Sequence, residues 1–239
     1  MRELLDFDYM LASLPTILKG VPVSLAIACI AFGFGLILAL LIALIRLYNV
    51  PVLKQLAILF VSFMRGTPLL VQIFLAYYGL PLVIRTLNET YAFTWDISFI
   101  PAIYFIYVAF TLNAGAYLSE TIRSAILAVD NGQLAACYSV GMTTTQALRR
   151  VILPQALRIG IPNLFNHFII LLKDTSLAFA ASVPEILGEA KMIAGRTSQF
   201  FEVYIVAALI YWALCSILEL VSVILEQRLT KQTGGLRYD

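Results

Sequence analysis

The stretch GQLAACYSVGMTTTQALRRVILP, residues 132–154, decides which architecture the sequence predicts. It is the only long stretch between residues 97 and 184 that is not largely apolar. Up to Val140 its apolar residues fall at near-helical spacing, which predicts a short amphipathic helix with one apolar face. Gly141 interrupts that pattern, and a second helical run follows it and ends near Pro154. We therefore expect two short helices, joined by a glycine turn, that project into water as a knob.

The residues alone leave two interpretations of this knob open. An amphipathic helix suits a hydrophobic groove on another protein, so the knob is a candidate docking element. An ordinary loop between two membrane spans has a similar composition. Both interpretations place residues 132–154 in water, outside the hydrocarbon of a membrane.

The overall composition is that of a membrane protein. Of the 239 residues, 61% are hydrophobic and 13% are charged, which is far too apolar for a soluble domain. The formal net charge of +2 says little by itself about partners. The three cysteines lie in or beside apolar segments without metal-ligand spacing, and their odd number gives no disulfide framework.

Several classes of chemistry are not expected. The sequence has no phosphate-binding glycine loop followed by Lys and Ser or Thr, so the chain itself should bind no ATP. His167, the only histidine, has no Cys, Asp or Glu three or four residues away, so we expect a histidine packed in the core and no metal site. No catalytic Ser-His-Asp or Cys-His arrangement is suggested, and the basic residues are too sparse for nucleic-acid binding.

Runs with few or no charges predict the membrane spans. A helix needs about 20 residues to cross about 30 Å of hydrocarbon, and five segments are long enough. These segments are residues 21–46, 66–84, 97–119, 159–183 and 202–225. The shorter apolar run 52–64 is either a helix at the membrane surface or a sixth crossing.

The distribution of Lys and Arg orients these spans. Five crossings place the two chain ends on opposite faces of the membrane. The face with residues 132–154 carries ten Lys or Arg residues, and the other face carries five. Because basic residues collect on the cytoplasmic side, we expect an outside N-terminus, a cytoplasmic C-terminus and a cytoplasmic knob.

Small residues mark places where helices could approach closely. Gly33 and Gly35 interrupt the first span, and Ala114, Gly115 and Ala116 cluster in the third. Helices in lipid associate through such close contact. Packing within the chain explains most of these residues, and a dimer face is the alternative.

The stretch from residue 132 also follows a recurring pattern. It resembles the EAA loop of membrane permeases of binding-protein-dependent ABC importers, whose pattern is Glu-Ala-Ala, three residues, Gly, nine residues, Ile, one residue, Leu-Pro. The corresponding positions are Ala135, Ala136, Cys137, Gly141, Val151, Leu153 and Pro154, and Gly132 precedes them as is common in the amino-acid branch. Spacing agrees throughout, but Ala135, Cys137 and Val151 replace the Glu, the second Ala and the Ile of the family. In the family this loop docks on the ATPase, so Ala135 removes one polar contact that the resemblance implies.

Three further stretches extend the resemblance to the polar amino-acid branch of that family. Residues 63–72, FMRGTPLLVQ, are similar to its FRGTPLLVQ signature. Residues 116–123, AYLSETIR, resemble its AYxSExxR stretch, and residues 172–177 read LKDTSL as in the family. The four stretches occur in the family order, and the similarity spans roughly residues 17–225. The sequence is thus identified as a member of the polar amino-acid permeases.

The resemblance implies both a fold and an assembly. It implies an all-α integral membrane protein of the type I importer fold, with residues 1–239 as one permease domain in a bacterial inner membrane. It also implies a second permease subunit, identical or different, and a dimer of cytoplasmic ATPases that carry ATP and Mg. An external amino-acid-binding protein would deliver the substrate. No cofactor is expected on this chain.

Lys173 and Asp174 are the most unusual residues of the predicted spans. Lys173 lies about 15 residues, or roughly 22 Å, beyond Arg158, which is still within the hydrocarbon. Ionisable groups at that depth are costly and usually face the bundle interior or an aqueous cavity. Neighbouring helical residues point about 100° apart, so each charge needs another partner, and Glu219 is a candidate for Lys173.

Two roles for these charges remain open. Oppositely charged groups lining a central cavity could meet the ammonium and carboxylate of an amino acid. A buried ion pair that steadies the bundle or a dimer is the alternative. The candidate substrate path comprises Lys173, Asp174, Thr175, Ser176 and Glu219.

The sequence therefore favours the permease subunit of an ATP-driven importer of polar amino acids. An ion-coupled secondary transporter or channel would use the same charges, but five spans show little sign of an inverted repeat. That alternative also leaves the knob unexplained. A membrane scaffold without transport would leave the charges within the spans unexplained.

Overall fold

The computed structural model of the chain describes residues 5–91, 93–94 and 99–231, with side chains to Arg228. The first two residues of the predicted third span, 97–98, and two of the basic residues counted for the orientation, Arg2 and Arg237, lie outside these residues. Helices make up nearly all of the described chain, which has no strand. They are α1 (Phe7–Ile17), α2 (Val21–Leu47), α3 (Leu53–Gly66), α4 (Leu69–Phe74), α5 (Leu80–Tyr91), α6 (Ala102–Leu127), α7 (Asn131–Ser139), α8 (Thr144–Ala147), α9 (Leu153–Asp174), α10 (Ile186–Thr197) and α11 (Phe200–Lys231). The all-α membrane fold expected from the sequence is confirmed.

Within the described ranges, five helical stretches are long and apolar enough to cross a membrane. They are Phe7–Leu47, Leu69–Tyr91, Ala102–Leu127, Thr144–Ala181 and Phe200–Arg228. The first is longer than predicted because a 3₁₀ turn joins α1 directly to α2. The second contains a π-helical turn between α4 and α5.

The fourth stretch differs most from the prediction, because it begins at Thr144 and not near residue 159. Pro154 was expected to end the second helix of the knob. It lies instead at the start of α9 directly after a π-helical turn, where the irregular hydrogen bonding lets the helix continue through a residue without an N–H. A π-helical turn, Leu148–Ile152, connects α8 to α9. The second half of the knob is therefore the start of the fourth stretch.

Helix α3 is too short for a sixth crossing. Its 14 residues extend about 21 Å, against about 30 Å of hydrocarbon. Ala57, Val61 and Met64 are buried on one face and pack with Ile42 and Ala116. The opposite face is exposed, as in a helix that covers the end of a bundle.

The centre of the bundle is the contact between α2 and α6. A Cβ at Gly35 would lie 2.8 Å from the Cβ of Ala114, and one at Gly115 would lie 2.6 Å from Leu38. Larger side chains would push these helices apart, so the small residues serve packing within the chain. Gly33 is different, because it is exposed and a Cβ there would meet nothing within 4 Å.

The helices define two ends of the molecule. Residues 132–154 form the knob end, between the end of α6 and the start of α9. At the other end, which we call the outer layer, α1 and α10 pack against the start of α11 around Ile17, Ala190 and Val203. The N-terminal helix thus lies at the end opposite the knob.

Candidate substrate path and coupling knob

A cavity of about 400 Å³ lies between α2, α6 and α9 and the segment before α4. Most of its wall is apolar, and the polar side chains come from different helices. The lining residues are Phe32, Thr67, Pro68, Leu69, Asn113, Ala114, Tyr117, Leu118, His167, Ile170, Leu171, Asp174 and Leu177. An apolar cavity with a few polar groups is typical of small-molecule sites. We refer to it as the central cavity.

Asp174 brings a carboxyl group to the wall of the central cavity. It is the last residue of α9, and the 3₁₀ turn Thr175–Ala181 follows it. The side chain is half-buried, and among the described residues it forms no ion pair within 4.0 Å. A carboxylate on a largely apolar wall favours a cationic group of a ligand.

Gln72 fixes the opposite wall of the central cavity. This buried side chain donates from Nε2 to the carbonyl oxygen of Met64 at 2.8 Å and to Oγ1 of Thr67 at 2.9 Å. Its Oε1 accepts from Nδ2 of Asn113 at 2.9 Å. The amide therefore joins the turn before α4 to the middle of α6 and holds Thr67 and Asn113 beside one another.

The structure separates the five residues of the predicted substrate path. Asp174 alone of the five lines the central cavity. Thr175 is fully buried behind it, where its hydroxyl donates to the carbonyl oxygen of Leu172 at 2.7 Å. Ser176 is half-buried in the same 3₁₀ turn. Lys173 and Glu219 are exposed on other faces.

The ion pair suggested for Lys173 and Glu219 is absent from the described chain, where no such pair lies within 4.0 Å. Both side chains are exposed on the surface of the single chain, and both lie close enough to Cys215 to act on its thiol electrostatically, but they do not pair with each other. The suggestion came from charge alone, and charge does not give the helix face. The role of these residues in the substrate path stays a prediction.

A second cavity of about 530 Å³ continues from the central cavity toward the knob end. The two share Tyr117, His167 and Ile170 as lining residues. The rings of Tyr117 and His167 lie 5.9 Å apart between centroids, at the junction. His167 was expected to be packed in the core, but it lines both cavities and is half-buried.

A charge cluster lies on the wall of the second cavity. Glu120 accepts from Arg46 through Oε1 and from Nη2 of Arg123 at 2.9 Å through Oε2. Arg65 approaches the same carboxylate at 4.0 Å and stands 5.5 Å from the centre of the Tyr117 ring. Glu120 and Arg123 lie three residues apart on α6 and pair within that helix. Three guanidinium groups around one carboxylate leave an excess of positive charge.

Residues 132–154 form the expected helix, turn and helix. Asp130 caps α7 by accepting from the backbone N–H of Gly132 at 2.5 Å. Gly141 has φ of +77°, a left-handed conformation that favours glycine, and so makes the turn. Thr143 and Gln146 form a capping box at the start of α8.

One face of the knob is attached to the bundle and the other is exposed. Val129, Ile152 and Ala156 form a buried cluster with half-buried neighbours that include Leu134 and Val151. Cys137 is buried as well. The exposed residues of the knob include Ala135, Ala136, Tyr138, Val140, Leu153 and Pro154. Val140 is 73% exposed, so this apolar surface lacks a cover within the described chain.

No metal centre is found in the part of the chain that the structure describes. No group of three or more His, Cys, Asp or Glu side chains there could hold a metal ion. Cys29, Cys137 and Cys215 are free thiols.

Comparison with known proteins agrees with this architecture. The family described as "Binding-protein-dependent transport system inner membrane component" matches residues 31–231, most of the chain. The chain belongs to this family. It is therefore the membrane component of a transport system and not an enzyme, and the family implies a substrate-binding protein and an ATPase as partners in general.

Individual relatives cover nearly the whole chain. The probable amino-acid ABC transporter permease PatM of Vibrio harveyi is 46% identical over 226 residues, which cover 95% of this chain and 97% of PatM. The L-cystine transport system permease TcyB of Bacillus subtilis (strain 168) is 43% identical, over 91% of this chain and 88% of TcyB. These relatives give no support to an ion-coupled transporter.

Solved structures show the same fold. An amino acid ABC transporter crystallised with histidines has a chain with a TM-score of 0.82 and 32% identity, which covers 95% of this chain and 100% of that one. The MetNI methionine ABC transporter has a TM-score of 0.71 at 16% identity, over 90% and 96% of the two chains. The second likeness shows the fold alone.

Proposed function

We propose that this permease forms the path for polar amino acids in an ATP-driven importer. The observation that carries the proposal is the central cavity, a largely apolar space whose lining includes both Asp174 and Asn113. A volume of about 400 Å³ suits a small molecule. The names of PatM and TcyB, which specify amino-acid and L-cystine transport, support this substrate class.

The charges along the path suit a zwitterion. Asp174 would bind the ammonium group of the cargo, since Asp174 has no ion pair within 4.0 Å among the described residues. Thr67 and Asn113 would supply neutral hydrogen bonds. In the second cavity the excess positive charge around Glu120 would attract the carboxylate of the cargo, and Arg65 has the longest contact with that acid, at 4.0 Å.

The knob would couple this path to ATP hydrolysis. Its exposed apolar face, with Tyr138 and Val140, would lie in a groove of the cytoplasmic ATPase. ATP and Mg would bind to a dimer of that ATPase and not to this chain. A second permease subunit would complete the path, and an external binding protein would deliver the amino acid. This arrangement requires an outside N-terminus and a cytoplasmic C-terminus.

The test is transport by the purified complex in proteoliposomes. The permease, its ATPase and its binding protein are reconstituted, and uptake of radiolabelled L-cystine, L-glutamine, L-histidine and other amino acids is measured with and without ATP. We expect ATP-dependent uptake of at least one polar amino acid. Uptake driven by a proton or sodium gradient without ATP would refute the proposal.

Asp174→Asn tests the role of the cavity within the same assay. The amide keeps the volume of the carboxylate but removes its charge. We expect the variant to assemble and hydrolyse ATP but to import poorly. Failure to assemble would show that Asp174 is structural, and normal import with unchanged selectivity would exclude both roles. Glu89→Gln is the control, because Glu89 pairs with Arg85 on an exposed surface outside the cavity.

A further inference from the structure

A buried carboxyl group lies in the outer layer, outside the cavities described above. Glu185 is 0% exposed, and four hydrogen bonds reach it from three helices. It accepts from the backbone N–H groups of Leu187 at 3.0 Å and Gly188 at 2.8 Å, and so caps α10. It also accepts from Oγ of Ser24 in α2 at 3.3 Å and from the hydroxyl of Tyr211 in α11 at 2.5 Å.

The backbone around Glu185 leaves little room for movement. A Cβ at Gly20 would lie 2.5 Å from the carbonyl carbon of Glu185. A Cβ at Gly188 would lie 2.9 Å from the ring of Phe179, which belongs to the 3₁₀ turn after Asp174. The start of α10 is therefore held tightly between the start of α2 and the turn that follows the central cavity.

Tyr211 connects Glu185 to the neighbour of Asp174. Its hydroxyl donates to Glu185 and lies 3.4 Å from Oγ1 of Thr175. Thr175 is fully buried and is also bonded to the carbonyl oxygen of Leu172. Because both hydroxyl hydrogens are used in these two bonds, the 3.4 Å contact between Tyr211 and Thr175 is a packing contact. The residue that follows Asp174 is thus bonded within α9 and packed against α11.

Burying a carboxyl group is costly unless hydrogen bonds compensate it, and an apolar residue of similar volume is often at least as stabilising. An apolar residue at this position would not provide a directed set of bonds. The hydrogen bonds to Glu185 fix three helices together, next to the turn after Asp174. This argues that the position of the 3₁₀ turn after Asp174 is important for the protein.

We propose that Glu185 and Tyr211 form a brace that positions Asp174 in the central cavity and thereby sets the affinity for the cargo. Both are positioning residues, because neither lines the central cavity. The effect on cargo rests on the proposed role of Asp174. The brace also ties α10, in the outer layer, to the cavity.

The first test compares two Tyr→Phe variants in the reconstituted importer. Tyr211→Phe removes the hydroxyl that donates to Glu185 and packs against Thr175. Tyr9→Phe is the matched control, because the Tyr9 hydroxyl donates to Oγ1 of Thr197 at 2.6 Å and joins α1 to α10 in the same layer. L-cystine, L-glutamine and L-histidine serve in turn as probes. We expect Tyr211→Phe to raise the apparent KM about fivefold, more than it lowers the maximal rate, and Tyr9→Phe to leave KM unchanged.

A double substitution shows whether Tyr211 acts through Asp174. If it does, adding Tyr211→Phe to Asp174→Asn raises KM no further, because the position of the lost carboxylate no longer matters. If the two substitutions together raised KM by the product of their separate factors, the proposal would be overturned. An equal fall in the maximal rate for both Tyr→Phe variants, with KM constant, would also overturn it, since that is the result for a purely structural bond.

A measurement without transport separates the brace from the proposed function. In a chain whose three cysteines are replaced by alanine, the thiol of Asp174→Cys is labelled with a small water-soluble thiol reagent. We expect Tyr211→Phe to change the labelling rate at least about threefold, and Tyr9→Phe to leave it unchanged. Equal rates in both backgrounds would refute the brace. Normal import by Asp174→Asn would instead refute the proposed role of Asp174 in binding the cargo, and the labelling rate would still decide on the brace.

Discussion

The charge cluster around Glu120 gives the sharpest prediction about stability. Glu120 is 20% exposed and is shared by Arg46, Arg65 and Arg123. Glu120→Gln removes the single negative charge and leaves three guanidinium groups close together. Its amide can still accept one hydrogen bond, but it cannot compensate the positive charges.

The magnitude lies between two limits. Removing one partner of a fully buried ion pair costs about 3–5 kcal/mol, and an exposed pair contributes about 0–1 kcal/mol. Because Glu120 is mostly buried and glutamine keeps part of the bonding, we expect a loss of about 2–3 kcal/mol in the free energy of unfolding. For a chain of this length that loss lowers the melting temperature by roughly 5–10 °C.

The assay is thermal unfolding of the purified complex in detergent, with two comparison variants. Glu89→Gln breaks the exposed pair with Arg85, whose acid is 67% exposed, and should change the melting temperature little. Arg46→Gln should destabilise less than Glu120→Gln, because two guanidinium groups remain with their carboxylate. Equal melting temperatures for Glu120→Gln and Glu89→Gln would refute the reasoning.

Three further variants test other parts of the structure. Gly20→Ala puts a methyl group 2.5 Å from the carbonyl carbon of Glu185. We therefore expect a loss of about 1–3 kcal/mol in the free energy of unfolding, measured as a lower melting temperature. Gly33→Ala is the control and should have no effect, because its methyl group enters open space. Gly141→Pro imposes a negative φ where the turn needs +77°. We expect transport to collapse, with the ATPase either lost from the complex or no longer stimulated. Normal uptake by this variant would exclude docking by the knob. Gly195→Cys lies in open space on α10 and should react with an impermeant thiol reagent on intact cells. Ser139→Cys, at an exposed position of the knob, should react only after the cells are permeabilised. The reverse pattern would overturn the proposed orientation, with the N-terminus outside and the knob in the cytoplasm.

The number and order of the spans could be predicted because charge is costly in hydrocarbon, and long uncharged runs therefore mark the crossings. The start of the fourth span could not be predicted from the sequence. Its first turns carry Arg149 and Arg150, and a π-helical turn continues through them into α9. Pro154 looked like a helix end, but the π-helical turn before it lets the helix continue through the proline.

The candidate site was only partly predictable. Asp174 was found because an acid within an apolar span is rare. Asn113 gave a weaker signal of the same kind, as an amide beside Ala114 and Gly115 in an apolar run, and it was missed. The contacts of Gln72 with Asn113 and of Glu185 with Tyr211 join residues 41 and 26 positions apart, so no local pattern reveals them.

The continuity of the knob with the fourth span has a mechanical consequence. From Ala147 to Asp174 the chain is helical without a break, a length of about 40 Å. Over that length, a tilt of about 5° at the knob would displace the carboxyl group of Asp174 by roughly 3.5 Å, more than the length of a hydrogen bond. Under the proposed docking of the knob and the proposed role of Asp174, the helix would be a lever arm that turns a small rotation of the knob into release of the cargo.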